Sequence, residues 1–358
     1  MTRLSYHANL NELQGDIALD ARDRDALDAR DSGTPGATLR ALLEAPAAPG
    51  PFDRLDWFAG LAELGGVKPL LAVARDDRGL AVLPLARRDD GLGPLANWYA
   101  FTVRPRVSAG ADGPALLSAL ARDLRRKAGR ITLWPVPDED GEASLLATAF
   151  ARSGWLVERS ACDTNHFLRL GGRTYADYLA ARPGPLRTTL KRKAKKVAIT
   201  LYDAFSDQAW EDYETVYAQS WKPEEGSPAF LRRFAQNEGA EGRLRMGVAH
   251  AELDGVNQPV AAQMWTVENG TAYIHKLAYV EAAKPISPGT SLSAALFERV
   301  IDVDHVHTVD FGTGDDPYKR DWMEEARPRY RITLYNPARP AQWGPIAKSL
   351  LRRLLHRG

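Results

Sequence analysis

The 358-residue chain has a single cysteine, Cys162, so no disulfide can close within it, a usage that fits a reducing compartment. Cys162 sits between strand-like segments and reads as an incidental thiol, not a nucleophile. No run approaches the ~20 consecutive apolar residues that a membrane-crossing helix needs. The opening MTRLSYHANLNELQGD lacks an apolar signal core and a cleavage pattern. The expectation is a cytoplasmic protein, at most peripheral on the cytoplasmic face of the membrane. The His and Asp spacings match no metal-ligand motif, so no metal is expected. The net charge is only +1, and the basic residues fall in two blocks without interleaved aromatics, which argues against a nucleic-acid partner. One last absence is local. From Ala326 to Gly358 there is no Asp or Glu but there are eight Lys or Arg, a basic tail on a neutral body.

Apolar residues make up 44 %, enough for each half of a two-domain chain to bury its own core. Residues 1–50 are a charged lead rich in Ala, Pro and Gly, in which 20–31 (DARDRDALDARD) reads as a solvated helix. A first domain, 51–165, contains strand-like 70–75 and 79–84 joined by Asp76-Asp77-Arg78, a helical 114–128, a strand at 130–134 and a helix at 144–153. The second, 166–338, repeats this plan without repeating the letters. Its alternating strands 243–252, 259–267 and 271–279 are joined by Asp254-Gly255 and Asn269-Gly270, both hairpin signals. A helix over 290–303 and a strand over 306–311 follow. The predicted fold class is α/β (layered α+β): two similar domains, each a mixed, mostly antiparallel sheet flanked by helices, and a C-terminal amphipathic helix over 339–358.

The stretch 272–322 carries the chemistry. Ser287-Pro288-Gly289-Thr290 opens a helix, where unpaired N–H groups and the positive dipole end attract an anion by ~0.3–1 kcal/mol per charge. A simple N-cap by Ser287 or Thr290 is the competing reading. His275 and Tyr279 are four apart on a strand and share one face with Tyr273 and Leu277. Asp310 ends the next strand. Asp315 and Asp316 in the following loop either handle an amine or cap Arg320 and the next turn. Residues 175–198 hold Arg187, Arg192 and four lysines. They form either a solvated helix face or a clamp for a phosphate-bearing ligand or lipid head group.

The strand order, SPGT at a helix start and the segment DFGTGDDPYKRDW together resemble the CelD/BcsL-type branch of the GNAT acyltransferases, double-GNAT proteins related in plan to the Fem-type aminoacyltransferases. The resemblance spans about 52–336 and is most specific at 273–322 and 186–197. It implies two tandem GNAT folds, the second holding the donor, and transfer of an acyl group from a thioester or ester to an amine. It implies no permanent cofactor, with acyl-CoA as co-substrate. Ser287, Gly289, Thr290 and Tyr318 would hold the donor, although SPGT is poorer in Gly than the usual pyrophosphate loop. A backbone N–H of 271–279 would polarise the thioester carbonyl. His275 is the first choice of base, against a hydrogen-bonded core histidine, and Tyr279 would protonate the departing thiolate. Asp315 or Asp316 and Lys319 would assist. Tyr318-Lys319 resembles an aromatic–Lys pair of Fem-type relatives, and Trp322 would wall the pocket. Trp221, with Glu224 and Glu225, either edges the acceptor site or closes a helix. Arg187 and Arg192 would touch substrate.

Trp343, Ile346, Ala347, Leu350, Leu351, Leu354 and Leu355 recur at helical spacing, flanked by Lys348, Arg352, Arg353, His356 and Arg357. This is either an interfacial helix for an anionic membrane surface or a helix docked on its own domain. The expected function is an acyl-CoA-dependent N-acyltransferase acting on an amine of an envelope component. The favoured acceptor is a sphingoid base or other lipid amine, as in bacterial ceramide synthase-like members of the branch. An amino sugar of a cell-surface polysaccharide is the alternative, and a non-catalytic, membrane-recruited binding protein the rival class.

Overall fold

The computed structural model describes residues 2–10, 13, 39–44 and 47–355. The helix expected over 20–31, and His356 and Arg357 of the tail, lie outside the described residues. The strands in chain order are β1 (Arg3–His7), β2 (Lys68–Arg75), β3 (Leu80–Arg88), β4 (Gly91–Pro94), β5 (Arg106–Val107), β6 (Arg130–Val136), β7 (Leu156–Arg169), β8 (Ala198–Tyr202), β9 (Leu244–Leu253), β10 (Val256–Glu268), β11 (Thr271–Tyr279), β12 (Thr308–Thr313) and β13 (Glu325–Tyr335). The helices used below are α1 (Leu55–Glu63), α2 (Gly113–Lys127), α3 (Glu142–Arg152), α4 (Tyr175–Ala180), α5 (Gly184–Lys193), α6 (Asp207–Ala218), α7 (Pro228–Ala240), α8 (Pro288–Glu298), α9 (Lys319–Trp322) and α10 (Trp343–Leu355).

Two compact units result, 1–163 with 328–358, and 164–327. The division read from the sequence at 166 falls two residues from the observed one, whereas that at 338/339 is replaced by one at Pro328, because β13 pairs with β6 (Ile332 opposite Leu133) and returns the chain to the first unit. In the first unit β1, β2, β3 and β4 are antiparallel neighbours, β4 meets β6 in parallel, and β13 follows β6. Asp112 caps α2 by accepting from the Ala115 N–H, and Leu116, Leu117, Leu120 and Leu124 of α2 recur at helical spacing. These leucines join Leu83 and Leu85 of β3, Leu133 of β6 and Phe150 of α3 in one core. Cys162 is an exposed residue within β7.

In the second unit the order is β7-β12-β11-β10-β9-β8, all antiparallel except β11 with β12. Both hairpin turns read from the sequence are present, with φ of 52° at Asp254, 75° at Gly255, 48° at Asn269 and 69° at Gly270, the left-handed pairs that match strand twist. β10 is buried from Val260 to Trp265 because helices cover both its faces. The helix expected over 290–303 starts two residues earlier, at Pro288. It ends at Glu298 and continues as a π-helical turn, Arg299–Val303.

Candidate active site

α8 begins at a sharp corner. Ser287 stands in the left-handed region (φ 53°, ψ 52°), Pro288 takes the first helical position, and no side chain caps the first turn. The capping alternative is therefore not the one adopted. The Ser287 hydroxyl instead accepts a hydrogen bond from Lys193 Nζ at 3.1 Å. This uncapped turn opens on a cavity of about 390 Å³, with Ser287, Gly289, Thr290, Lys284, Trp221, Leu277, Tyr279, Asp316, Tyr318 and Trp322 in its lining. Gln263 pins the helix start to β10, donating to the Gly289 carbonyl at 3.1 Å and to Ser293 Oγ at 2.8 Å. A Cβ at Gly289 would stand 3.2 Å from Tyr279 Cδ1, so glycine is what lets the Tyr279 ring lie against the helix. Trp322 is stacked on Phe297 at 4.8 Å, and Tyr178 and Arg182 both donate to its carbonyl, so this wall is rigid.

β11 and β12 pair only from Thr271 opposite Thr308 to Tyr273 opposite Asp310, and then part. The backbone groups of β12 beyond that point find other partners. The Phe311 and Thr313 carbonyls accept from Lys319 Nζ (3.0 and 2.5 Å), and the Gly312 N–H donates to Asp310. Asp310 is thereby structural, also accepting from Asn165 and Arg327.

The expectation that Tyr273, His275, Leu277 and Tyr279 share one face is corrected by a bulge. Met264 of β10 pairs with Lys276 and Trp265 with Ile274, leaving His275 as an extra residue. The alternation slips by one there. His275 turns to Thr266 Oγ1 (2.7 Å) and the Phe234 ring of α7, whereas Leu277 and Tyr279 line the cavity. His275 is therefore not in the cavity that holds Tyr279.

Asp315 bonds His166 Nε2 and Arg320 Nη2, each at 2.8 Å. These two partners hold its carboxyl below the usual carboxylate range, and it does not line the cavity. Lys319 is buried under its two carbonyls and is not a lining residue either, so its charge staples the loop. Tyr318 lines the cavity edge-on to Phe311, its hydroxyl pushed up to about 12 by burial and by Asp316. Trp221 packs on Tyr279 with ring centres 4.3 Å apart. Arg187 and Arg192 are exposed on α5 and absent from the lining, where the same helix contributes Leu186. Lys193, one of the four lysines of 175–198, reaches Ser287, whereas Lys284 has no part in the sequence reading. Lys284 lies in EAAKPISPGT, close enough to the helix start to have been flagged as an anion partner.

Residues 164–320 match the acetyltransferase (GNAT) domain family. The second unit is a GNAT-type acetyltransferase domain. No curated protein matches the chain. Among solved structures it is similar to FemX (TM-score 0.54, 10 % identity, covering 89 % of this chain and 96 % of that one). It is also similar to L-PGS from Bacillus licheniformis (0.51, 15 %, 87 % and 98 %), and to a C-terminal DUF2156 domain from Agrobacterium fabrum (0.52, 13 %, 79 % and 88 %). At these identities the likeness is one of fold, and with FemX it extends over both units.

The GNAT domain holds a second cavity, about 430 Å³, with Trp210, Tyr213, Glu214 and Tyr217 of α6, Lys222, Glu224 and Glu225 of the following loop and Leu231 of α7 in its lining. Glu225 accepts from Tyr213 at 2.9 Å and pairs with Lys276 Nζ at 2.7 Å. Lys276 is the residue after the bulge. Trp221 and Lys222 are consecutive, the first lining the α8 cavity and the second this one. Among the described residues no group of three or more His, Cys, Asp or Glu is placed to hold a metal.

Proposed function

We propose that the protein is an acyl-CoA-dependent N-acyltransferase that acylates an amine of an envelope component, with a lipid amine such as a sphingoid base as the favoured acceptor. The observation that supports this best is the uncapped start of α8 opening on a cavity beside the strand that has parted from its neighbour. The donor's phosphates meet the first-turn N–H groups of Gly289 and Thr290, with Lys284 beside them. The thioester lies along β11, where a backbone N–H polarises its carbonyl. The amine attacks that carbonyl directly, forming the C–N bond and breaking C–S. Tyr279, which lines the same cavity, protonates the leaving thiolate.

The lipid preference rests on α10. Trp343, Leu350, Leu351, Leu354 and Leu355 are exposed, whereas Ser349 is buried and Ile346 half-buried. The side turned inward is thus the poorer in leucine, and the apolar stripe flanked by Lys348 and Arg352 faces outward. An exposed Leu stripe beside basic residues suits an anionic lipid surface, each Lys or Arg adding ~1 kcal/mol. Among the described residues no helix is long and apolar enough to cross a membrane.

The test is release of free CoA thiol from acetyl-CoA or palmitoyl-CoA, each with sphinganine or glucosamine. Release that requires palmitoyl-CoA and sphinganine is expected. Release with acetyl-CoA and the sugar would move the acceptor to a surface glycan. Silence across the panel would return the protein to a non-catalytic binder.

A further inference from the structure

Of the lysines around the two cavities, most have their ammonium groups engaged. Lys276 is held by Glu225, Lys319 by the Phe311 and Thr313 carbonyls, and Lys193 by Ser287. Lys222 differs. Among the described residues its Nζ makes no hydrogen bond or ion pair, and it lies 5.6 Å from the centre of the Trp221 ring. It lines the second cavity beside Glu225, while its ring neighbour Trp221 lines the first.

We propose that the second cavity receives the acceptor as its ammonium, and that Lys222 in its neutral form takes the proton this ammonium must lose before it attacks the donor. The inference rests on the acyltransferase reading above and deepens it. With Glu225 already paired to Lys276, the carboxylates of Glu214 and Glu224 draw a cation into a cavity whose walls include the rings of Trp210, Tyr213 and Tyr217, a lining that suits a primary amine on an apolar or stacking body. Protons balance. The ammonium R–NH3+ gives one proton to Lys222, leaving R–NH2. That amine attacks the thioester carbonyl, the C–N bond forms and the C–S bond breaks. The second nitrogen proton leaves with the CoA thiolate as thiol, and Lys222 returns its proton to water.

The surroundings suit a lysine in this role. Burial, with the nearby positive charges of Lys276 and Lys319, brings its pKa down to about 8, opposed by Glu225 and Asp316. A group of this kind is neutral, and able to accept a proton, as pH rises through about 8.

The first experiment needs no turnover. Lysines of the full chain are labelled with acetic anhydride from pH 6 to 11 and read by peptide mass spectrometry. Lys222 is expected to react with a midpoint near 8, and octylamine or glucosamine, but not octanol, to protect it relative to the exposed lysines of the same chain, whose labelling measures the reagent the amines consume. A midpoint above 10, or no protection by either amine, overturns the proposal. The second is the pH profile of thiol release. Lys222→Gln and Lys222→Arg should each lose roughly 100-fold in kcat/KM at pH 8, along with the rising limb, while acyl-CoA binding is kept. Arginine preserves the charge but cannot give up its proton, so a Lys222→Arg enzyme with the wild-type rate and profile would overturn the role. If the wild type releases no thiol at all, the acyltransferase reading falls, while amine protection of Lys222 still decides whether this cavity takes amines.

Discussion

Replacing Thr290 by Glu should move stability and donor binding in opposite directions. Thr290 is the third residue of α8, after Pro288 and Gly289, in a first turn that carries no acidic residue and no side-chain cap. A carboxylate there meets the positive end of the helix and gains ~0.3–1 kcal/mol. Thr290 also lines the α8 cavity, where the donor's phosphates are proposed to sit. Two unit charges 4 Å apart interact by ~4 kcal/mol at the effective dielectric of a protein surface, and salt screening reduces this to about 1–2 kcal/mol. The dissociation constant for acetyl-CoA should therefore rise by roughly 5–30-fold. Thr290→Gln, the uncharged counterpart, should stay within about twofold of wild type. The assay is a titration followed by the fluorescence of Trp221 and Trp322, both of which line the cavity, with a thermal melt beside it. A Thr290→Glu protein that melts no lower than wild type and binds acetyl-CoA equally well would remove the anion from this helix end.

Lys319→Met should destabilise the GNAT domain by roughly 1–3 kcal/mol, because the Phe311 and Thr313 carbonyls lose their donor. Urea unfolding measures this, and an unchanged midpoint would return Lys319 to the chemistry. Leu351→Glu with Leu354→Glu, both at exposed positions of α10, should abolish sedimentation with phosphatidylglycerol vesicles and leave thiol release from water-soluble substrates intact. Retained sedimentation would mean that α10 is not the anchor. Glu324 has its carboxyl lowered by Arg173, with Arg182 adding to it. That stabilisation is present above the unfolded value of 4.5 and is lost as pH falls through the folded value. Glu324→Gln should flatten the dependence of melting temperature on pH below about 4.5, and a wild-type slope would show that the pair contributes nothing measurable.

Local signals in the sequence were enough to place β9 to β12 of the GNAT domain and the helix start beside the cavity, but not β7 or β8. Asp254-Gly255 and Asn269-Gly270 specify left-handed turns by residue type alone, and Ser287-Pro288-Gly289 marks a helix entry because proline fits only the first turn. The return of β13 to the first unit was not legible, since it depends on pairing between residues about two hundred positions apart. Nor was the fate of Lys319. A lone lysine in a polar loop looks the same whether its ammonium meets a substrate or two backbone carbonyls of a strand that has left its neighbour.

His275 shows where pattern reasoning stops. Over 271–279 the length and the flanking turns read as one regular strand with His275 and Tyr279 on the same side, although the polar pair His275-Lys276 interrupts the alternation at the site of the bulge. One extra residue against β10 undoes that, and no glycine or proline marks the site. The bulge has two consequences that regular pairing would not give. It directs Lys276 toward Glu225 and the second cavity, and it leaves Leu277 and Tyr279 facing the first. His275 and Lys276 thus serve one side of the sheet and Leu277 and Tyr279 the other, just where β11 is free of β12. The Trp221–Lys222 loop does the same from the other direction, giving one side chain to each cavity. A donor held on the α8 side and an acceptor held on the α6 side can meet only where the sheet is open between β11 and β12. On the proposed mechanism the bulge and the parted strands set where donor and acceptor meet, with Lys222 and not His275 as the proposed proton acceptor.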